Sequence, residues 1–262
     1  MRIATWNINS VRLRLPNVLK MLDQFQPDIL CLQETKTPDE FFPAEALHNH
    51  GYEHIHIHGM KSYNGVAIVS RVPLEAREIR HSCGKEDCRH ISAMAPGGIE
   101  VHCAYIPAGG DIPDPVANDK FAHKLRFVDE LATWWKDRRD GSRKMVLVGD
   151  LNIAPLEHDV WSHKQLLKIV SHTPIEVEKL TAMQNSIGWV DAVRHFVPPE
   201  EKLYTWWSYR NQDWRLSNRG RRLDHIWVTP PLVDRLRSYT VAQETRDWIP
   251  PSDHVPVMVD IA

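Results

Sequence analysis

Short apolar, β-prone segments recur from one end of the chain to the other, and only some are separated by stretches with helical spacing. "RIATWNI", "PDILCLQE", "GVAIVSR", "IEVHCAYIP", "KMVLVGD", "LDHIWVT" and "HVPVMVDIA" each read as a strand. Between them, "VRLRLPNVLKMLDQFQ" carries apolar positions at helical spacing until it meets Pro27. "KFAHKLRFVDELATWWKDRR" sets Phe121, Leu125, Val128 and Leu131 three and four residues apart, and "PIEVEKLTAMQNSI" suits a helix stopped by Gly188. The 262 residues would allow one large domain or two small ones by length alone. Strands and helices mixed along the whole length predict one α/β domain over residues 1–262. Parallel strands need a long crossover and antiparallel strands do not, so consecutive strands with no helix between them predict mixed or antiparallel sheets.

The ends of these strands share a chemistry. Asn7 ends the first and Glu34 the second; Tyr105 lies at the end of "VHCAYIP", and Asp150 and Asn152 at the end of "MVLVGDLN". Leu223 and Asp224 open "LDHIWVT", and Asp253-His254 precede the last strand. A carboxylate at the end of a buried strand is costly unless it is paired or binds a metal. If the ends gather at one rim, Glu34, Asp150, Asn152, Asp224 and Asp253 make an acidic, oxygen-rich pocket suited to a hard divalent cation such as Mg2+ or Mn2+. Asp150 and Asn152, two apart on an extended segment, are expected to face the same side.

Composition bounds the remaining possibilities. At 42% hydrophobic and 25% charged, with no apolar run near the roughly 20 residues that span a bilayer, the chain reads as soluble and globular. "MRIATWNINS" has no apolar core of a signal peptide, and Cys31 and Cys103 lie in apolar runs, so a reducing cytoplasm is expected. "HSCGKEDCRH" groups His81, Cys83, Cys88 and His90; the spacing fits no common zinc pattern, and a polar surface loop is the plainer expectation. The net charge of −2 does not advertise nucleic acid, but Ser208 to Leu223 holds five arginines and one aspartate, a local charge of +4. Trp206, Trp207, Tyr209 and Trp214 are interleaved with those arginines, and aromatics between cations offer stacking faces beside phosphate contacts.

The motifs "TWNINSVRLR", "PDILCLQETK", "YNGVAIVSR", "AYIPAGG", "KFAHKLRF", "VGDLNIAP", "GWVDAVR", "YTWWSY", "GRRLDHIWVT" and "PSDHVPVMVD" span essentially the whole chain. Together, in this order, they resemble the exonuclease III class of abasic-site endonucleases, within the DNase I-like metallophosphodiesterases. The resemblance implies a four-layer α/β sandwich of two mixed β-sheets flanked by helices. It implies hydrolysis of the phosphodiester 5′ to abasic sites in double-stranded DNA, with 3′-end cleaning and 3′-to-5′ exonuclease activity, and Mg2+ or Mn2+ rather than an organic cofactor.

The same resemblance assigns roles. Glu34, helped by Asn7, binds the metal, and Asp150, Asn152, Asp253 and His254 belong to the same metal and phosphate constellation. Asp150 positions or deprotonates the attacking water, and Asn152 holds phosphate or the leaving oxygen. His254, with Asp224 as its partner, contacts the scissile phosphate, and Tyr105 aims a phenol at it. Whether Asp150, Tyr105 or a hydroxide takes the water's proton stays open, as does the number of metal ions. Trp206 and Leu223 wall a slot for a flipped-out sugar without its base, and Arg215, Arg219 and Arg222 are expected on the DNA backbone. One of Trp206 and Trp207 is expected to serve only in packing. Two positions depart from the family pattern: Ala108 replaces an amide, and Arg221 stands where relatives carry an apolar residue. A phosphodiesterase without abasic preference and a catalytically silent DNA-binding relative are the alternatives.

Overall fold

The computed structural model describes residues 1–211 and 213–262. Its strands are β1 (Arg2–Asn7), β2 (Ile29–Gln33), β3 (His54–His58), β4 (Val66–Ser70), β5 (Glu75–Ile79), β6 (His90–Ala95), β7 (Ile99–Tyr105), β8 (Met145–Asp150), β9 (Val190–Asp191), β10 (Trp206–Trp207), β11 (Gly220–Arg221), β12 (Asp224–Val228), β13 (Leu236–Val241) and β14 (Val257–Ile261). They form two six-stranded sheets, ordered β13-β14-β1-β2-β4-β3 and β5-β6-β7-β8-β12-β9, and a ribbon β10-β11. β1 and β2 pair in parallel across the helix Leu15–Phe25, and β7 and β8 across the helix Asp119–Arg138. The other pairings are antiparallel, so both sheets are mixed, as the strand spacing predicts.

The strand period of two sorts side chains into layers. β1 sends Ile3 between the sheets and Ala4 and Trp6 outward; β8 sends Val146 and Val148 inward and Met145 and Leu147 outward. Val18, Met21 and Leu22 of Leu15–Phe25 cover the outer face of the first sheet. Phe127, Val128, Leu131 and Trp135, with Leu180 and Met183 of the helix Pro174–Asn185, cover the second. The result is the expected four-layer sandwich.

Local signals fix the helix ends. Asn118 caps Asp119–Arg138 by accepting from the amide of Lys120, and Thr173 and Glu176 form a reciprocal capping box before Pro174. Seven strands escape the sequence pattern: the two-residue β9, β10 and β11, and the longer β3, β5, β6 and β13. β3 and β5 are sheet edges; β3 alternates histidine with isoleucine, and Glu75 to Glu78 of β5 are all exposed. Edge strands tolerate such polarity, which erases the apolar run that marks a central strand.

Candidate active site

Register brings the rim together. Tyr105, Asp150 and Asp224 lie abreast at one end of β7-β8-β12, and Asn7 lies beside Gln33, one residue before Glu34, at the corresponding end of β1-β2. The Asn7 amide bridges the two sheets, donating at 2.9 Å to Glu34 Oε1 and at 2.9 Å to Asp150 Oδ2. His254 arrives from the other side, its carbonyl accepting from Trp6 Nε1 at 3.0 Å. Ser252 Oγ donates to the Asn7 carbonyl at 2.7 Å and locks that loop to β1.

Gly149 makes the close approach possible. Its φ is +147°, and a Cβ there would lie 1.8 Å from the Ala104 carbonyl oxygen of β7, so only glycine fits. Beyond it the chain does not stay extended: Asn152 has φ +53°. The Asn152 amide nitrogen donates to Asp150 Oδ1 at 2.9 Å, and its side chain donates to Asp150 Oδ2 at 3.1 Å and to the Ile106 carbonyl at 2.9 Å. The two residues do face one another, but through a tight Asx-type turn rather than the two-residue strand period. Glu34, at φ +51°, is likewise left-handed, and strained backbone of this kind concentrates at functional sites.

The electrostatics follow from burial and crowding. Burial raises the Asp150 carboxyl, and although His254 opposes this, nearby Asp224 and Glu34 add to it; the group is pushed up to about 7. Burial works against a charged His254, but Asp224 and Asp150 prevail and lift the imidazole to about 10. Its Nδ1 lies 2.8 Å from Asp224 Oδ2, which also accepts from Thr205 Oγ1 at 2.6 Å, and its Nε2 lies 3.6 Å from Asp150 Oδ2. Burial would raise Glu34, but the Lys36 ammonium at 2.8 Å and the Asn7 amide keep it below the usual carboxylate value. Burial, Glu34 and Asp150 drive the Tyr105 phenol well above its ordinary value, so it stays protonated and donates to Glu34 Oε1 at 2.9 Å.

The residues fit a hard cation. Asp150, Asp224 and His254 can bring ligand atoms within 4.8 Å of one another, and Asp224 Oδ1 is buried with no hydrogen-bond partner among the described residues. The donors on offer are carboxylate and amide oxygens, and a dication would relieve the like-charge crowding around Asp150. Two of the expected ligands already have protein partners. His254 sets Nδ1 against Asp224 and Nε2 toward Asp150. Asp253 uses Oδ1 on Asn9 at 3.1 Å and Oδ2 on Trp206 Nε1 at 2.9 Å.

A cleft of 490 Å³ opens over these groups, with Trp206 and Leu223 beside Trp161 along one side. Trp207 is buried and packs against Tyr204 and Trp214, so of the tryptophan pair it is the packing residue. The expected arginine trio divides. Arg219 lines the cleft and lies 4.8 Å over the Trp161 ring. Arg215 does not line it and is paired with Asp247. Arg222 is corrected outright: it is buried, with Nε and Nη2 each 2.8 Å from Asp159 and Nη1 2.5 Å from Asp191, so its guanidinium is held inside the protein and not offered to DNA. His81, Cys83, Cys88 and His90 do not gather either. His90 lies in β6 with Nε2 3.1 Å from His102 Nδ1, and all four cysteines are free thiols.

One contributor was missed by sequence reasoning. Lys124 is fully buried and ties its ammonium to the carbonyls of Asn152 at 2.7 Å and Ala108 at 3.2 Å and to Glu176 at 2.5 Å. Burial lowers its pKa despite Glu176. A signal existed: Lys124 interrupts the apolar stripe formed by Phe121, Leu125 and Val128.

Buried carboxylates, amides and an imidazolium at the joined rims of a two-sheet sandwich define a class, the metal-dependent phosphodiester hydrolases. The chain belongs to the endonuclease/exonuclease/phosphatase family, whose sequence model matches residues 4–254. Exodeoxyribonuclease III of Haemophilus influenzae is 29% identical over 272 aligned residues, covering 99% of each chain. Among solved structures, an AP endonuclease from Archaeoglobus fulgidus superposes with a TM-score of 0.92 at 33% identity, covering 100% of this chain and 99% of its own. The 3′ phosphatase NExo from Neisseria, bound to a product DNA hairpin, superposes with a TM-score of 0.90 at 34% identity, with 100% and 99% covered.

Proposed function

We propose that residues 1–262 are one catalytic domain that hydrolyses the phosphodiester 5′ to abasic sites in double-stranded DNA, using Mg2+ or Mn2+. The same site clears blocked 3′ ends and removes nucleotides 3′-to-5′. One observation carries this reading: the Asp150–Asn152–His254 group and the Trp206–Leu223 wall open into a single cleft.

Asp150, its carboxylate held by Asn7 and Asn152 where the cleft opens, is suited to orient a water and take its proton. His254, kept cationic and oriented by Asp224, faces the phosphate and stabilises the negative charge that builds there. Tyr105 acts as a donor, and the Asn152 amide steadies Asp150 and the phosphate oxygens. Glu34 and Asn7 are the first residues to hold a metal, with Asp150 and Asp224 adjacent; the bound cation would neutralise phosphate charge. Asp253 keeps Trp206 upright as the wall of the slot. Extruding a sugar that has no base forfeits no pairing or stacking, so the slot selects lesions over intact nucleotides. Free cysteines support a reducing, cytoplasmic setting, and no helix among the described residues is long and apolar enough to cross a membrane.

The test is a duplex with one abasic residue, incubated with metal-stripped protein. Cleavage on the 5′ side is expected only after Mg2+ or Mn2+ is restored, and EDTA should abolish it. Full cleavage by the stripped protein would remove the metal role of Glu34.

A further inference from the structure

One wall of the proposed slot is not apolar. Arg221 on β11 lies directly opposite Trp206 on β10, with its guanidinium carbon 5.2 Å from the Trp206 ring centroid, and both side chains line the cleft. Nη1 donates to the Val170 carbonyl at 2.9 Å and to Ser171 Oγ at 2.8 Å, which accounts for a structural role as a strut between the ribbon and that loop. The strut uses only one of the three nitrogens. Nε is buried, and neither it nor Nη2 bonds to any described residue. A desolvated cation with unused donors beside an aromatic wall is a poor surface for a purely apolar guest and a good one for a guest with an oxygen to offer.

An abasic deoxyribose has such an oxygen. Loss of the base leaves a hydroxyl on C1′ of the ring form. An intact nucleotide carries its base there, and the tetrahydrofuran analogue of an abasic site carries only hydrogen. We propose that Arg221 is a specificity-determining residue that donates a hydrogen bond to the C1′ hydroxyl of the extruded sugar. This rests on the abasic reading above and adds chemical selection to the steric selection of Trp206. An all-apolar slot would accept the natural site and the tetrahydrofuran analogue alike. With Arg221 in the wall, the analogue covers the guanidinium and leaves its donors unpaired, the situation in which hydrogen-bonding sites discriminate most strongly.

Two duplexes of one sequence test this, one with a natural abasic site made by excising uracil and one with tetrahydrofuran at the same position. For the wild type, kcat/KM is expected to favour the natural site by about tenfold or more. In Arg221→Met the ratio should fall to within about twofold, through loss on the natural site. Equal kcat/KM values for the wild type, or a ratio preserved in Arg221→Met, would overturn the assignment while leaving the abasic reading intact. A wild type that trims 3′ ends but cuts neither abasic duplex would overturn both. The wild-type ratio needs no variant, so a folding defect in Arg221→Met does not blunt the test.

Discussion

Asp150 is the side chain on which most of the rim converges: Asn7, the Asn152 amides and His254 all address its two oxygens. Asp150→Asn keeps the shape and removes the charge and the proton acceptor. Turnover on an abasic duplex should fall by roughly 10²–10⁴-fold or more, while DNA binding measured by gel shift holds or tightens because a negative charge near phosphate has gone. A folded variant that turns over at the wild-type rate would reassign the base. Trp206 poses a different question, since it is half-buried and anchored by Asp253. Trp206→Ala should cost roughly 1–3 kcal/mol in abasic-site cleavage, by analogy with lost stacking. It should also erode the ratio of abasic to intact cleavage. If ratio and activity both survive, Trp206 belongs with Trp207 as packing.

Within the arginine-rich segment, neighbours in sequence have opposite fates. Arg221 and Arg222 adjoin, and on an extended segment their side chains leave on opposite sides: one enters the cleft and the other a buried network with Asp159, Asp191 and Arg194. Local charge alone reads both as phosphate contacts, because composition carries no side of the strand. The structure separates them into two experiments. Arg219→Ala should lower the slope of log affinity against log salt by about 0.9, the value for one lost phosphate contact. Arg222→Ala should instead unfold the protein more easily by about 3 kcal/mol, because it leaves Asp159 with Arg194 alone and takes the guanidinium from Asp191. Burial would raise Asp159 and Asp191, yet Arg222 holds both below the ordinary carboxylate value. Acids depressed in the fold stabilise it above their unfolded pKa near 3.9 and lose that contribution as pH falls. Urea unfolding should therefore show the Arg222→Ala deficit largest near neutral pH and shrinking below about pH 4.

Across the whole molecule, the central strands and long helices were legible because burial on one or both faces writes itself as period and composition, whereas the edges β3 and β5 pay no such penalty for polarity. The rim was legible for a related reason. Asn7, Glu34, Asp150 and Asp224 are polar groups at the ends of apolar strands, a placement that demands compensation. Lys124 escaped because lysine is almost always solvent-facing, and only its place on the apolar stripe argued otherwise. Asp253 and His254 were found, but the partners that orient them, Asn9, Trp206 and Asp224, lie far off in sequence. That separation has a consequence for folding. The rim takes Asn7 and Glu34 from near the start, Asp150 from the middle and His254 from near the finish, and β1 completes its pairing only against β14. None of these groups meets another until strands this distant in sequence have paired, so the rim forms only with long-range sheet assembly and no local segment carries it alone.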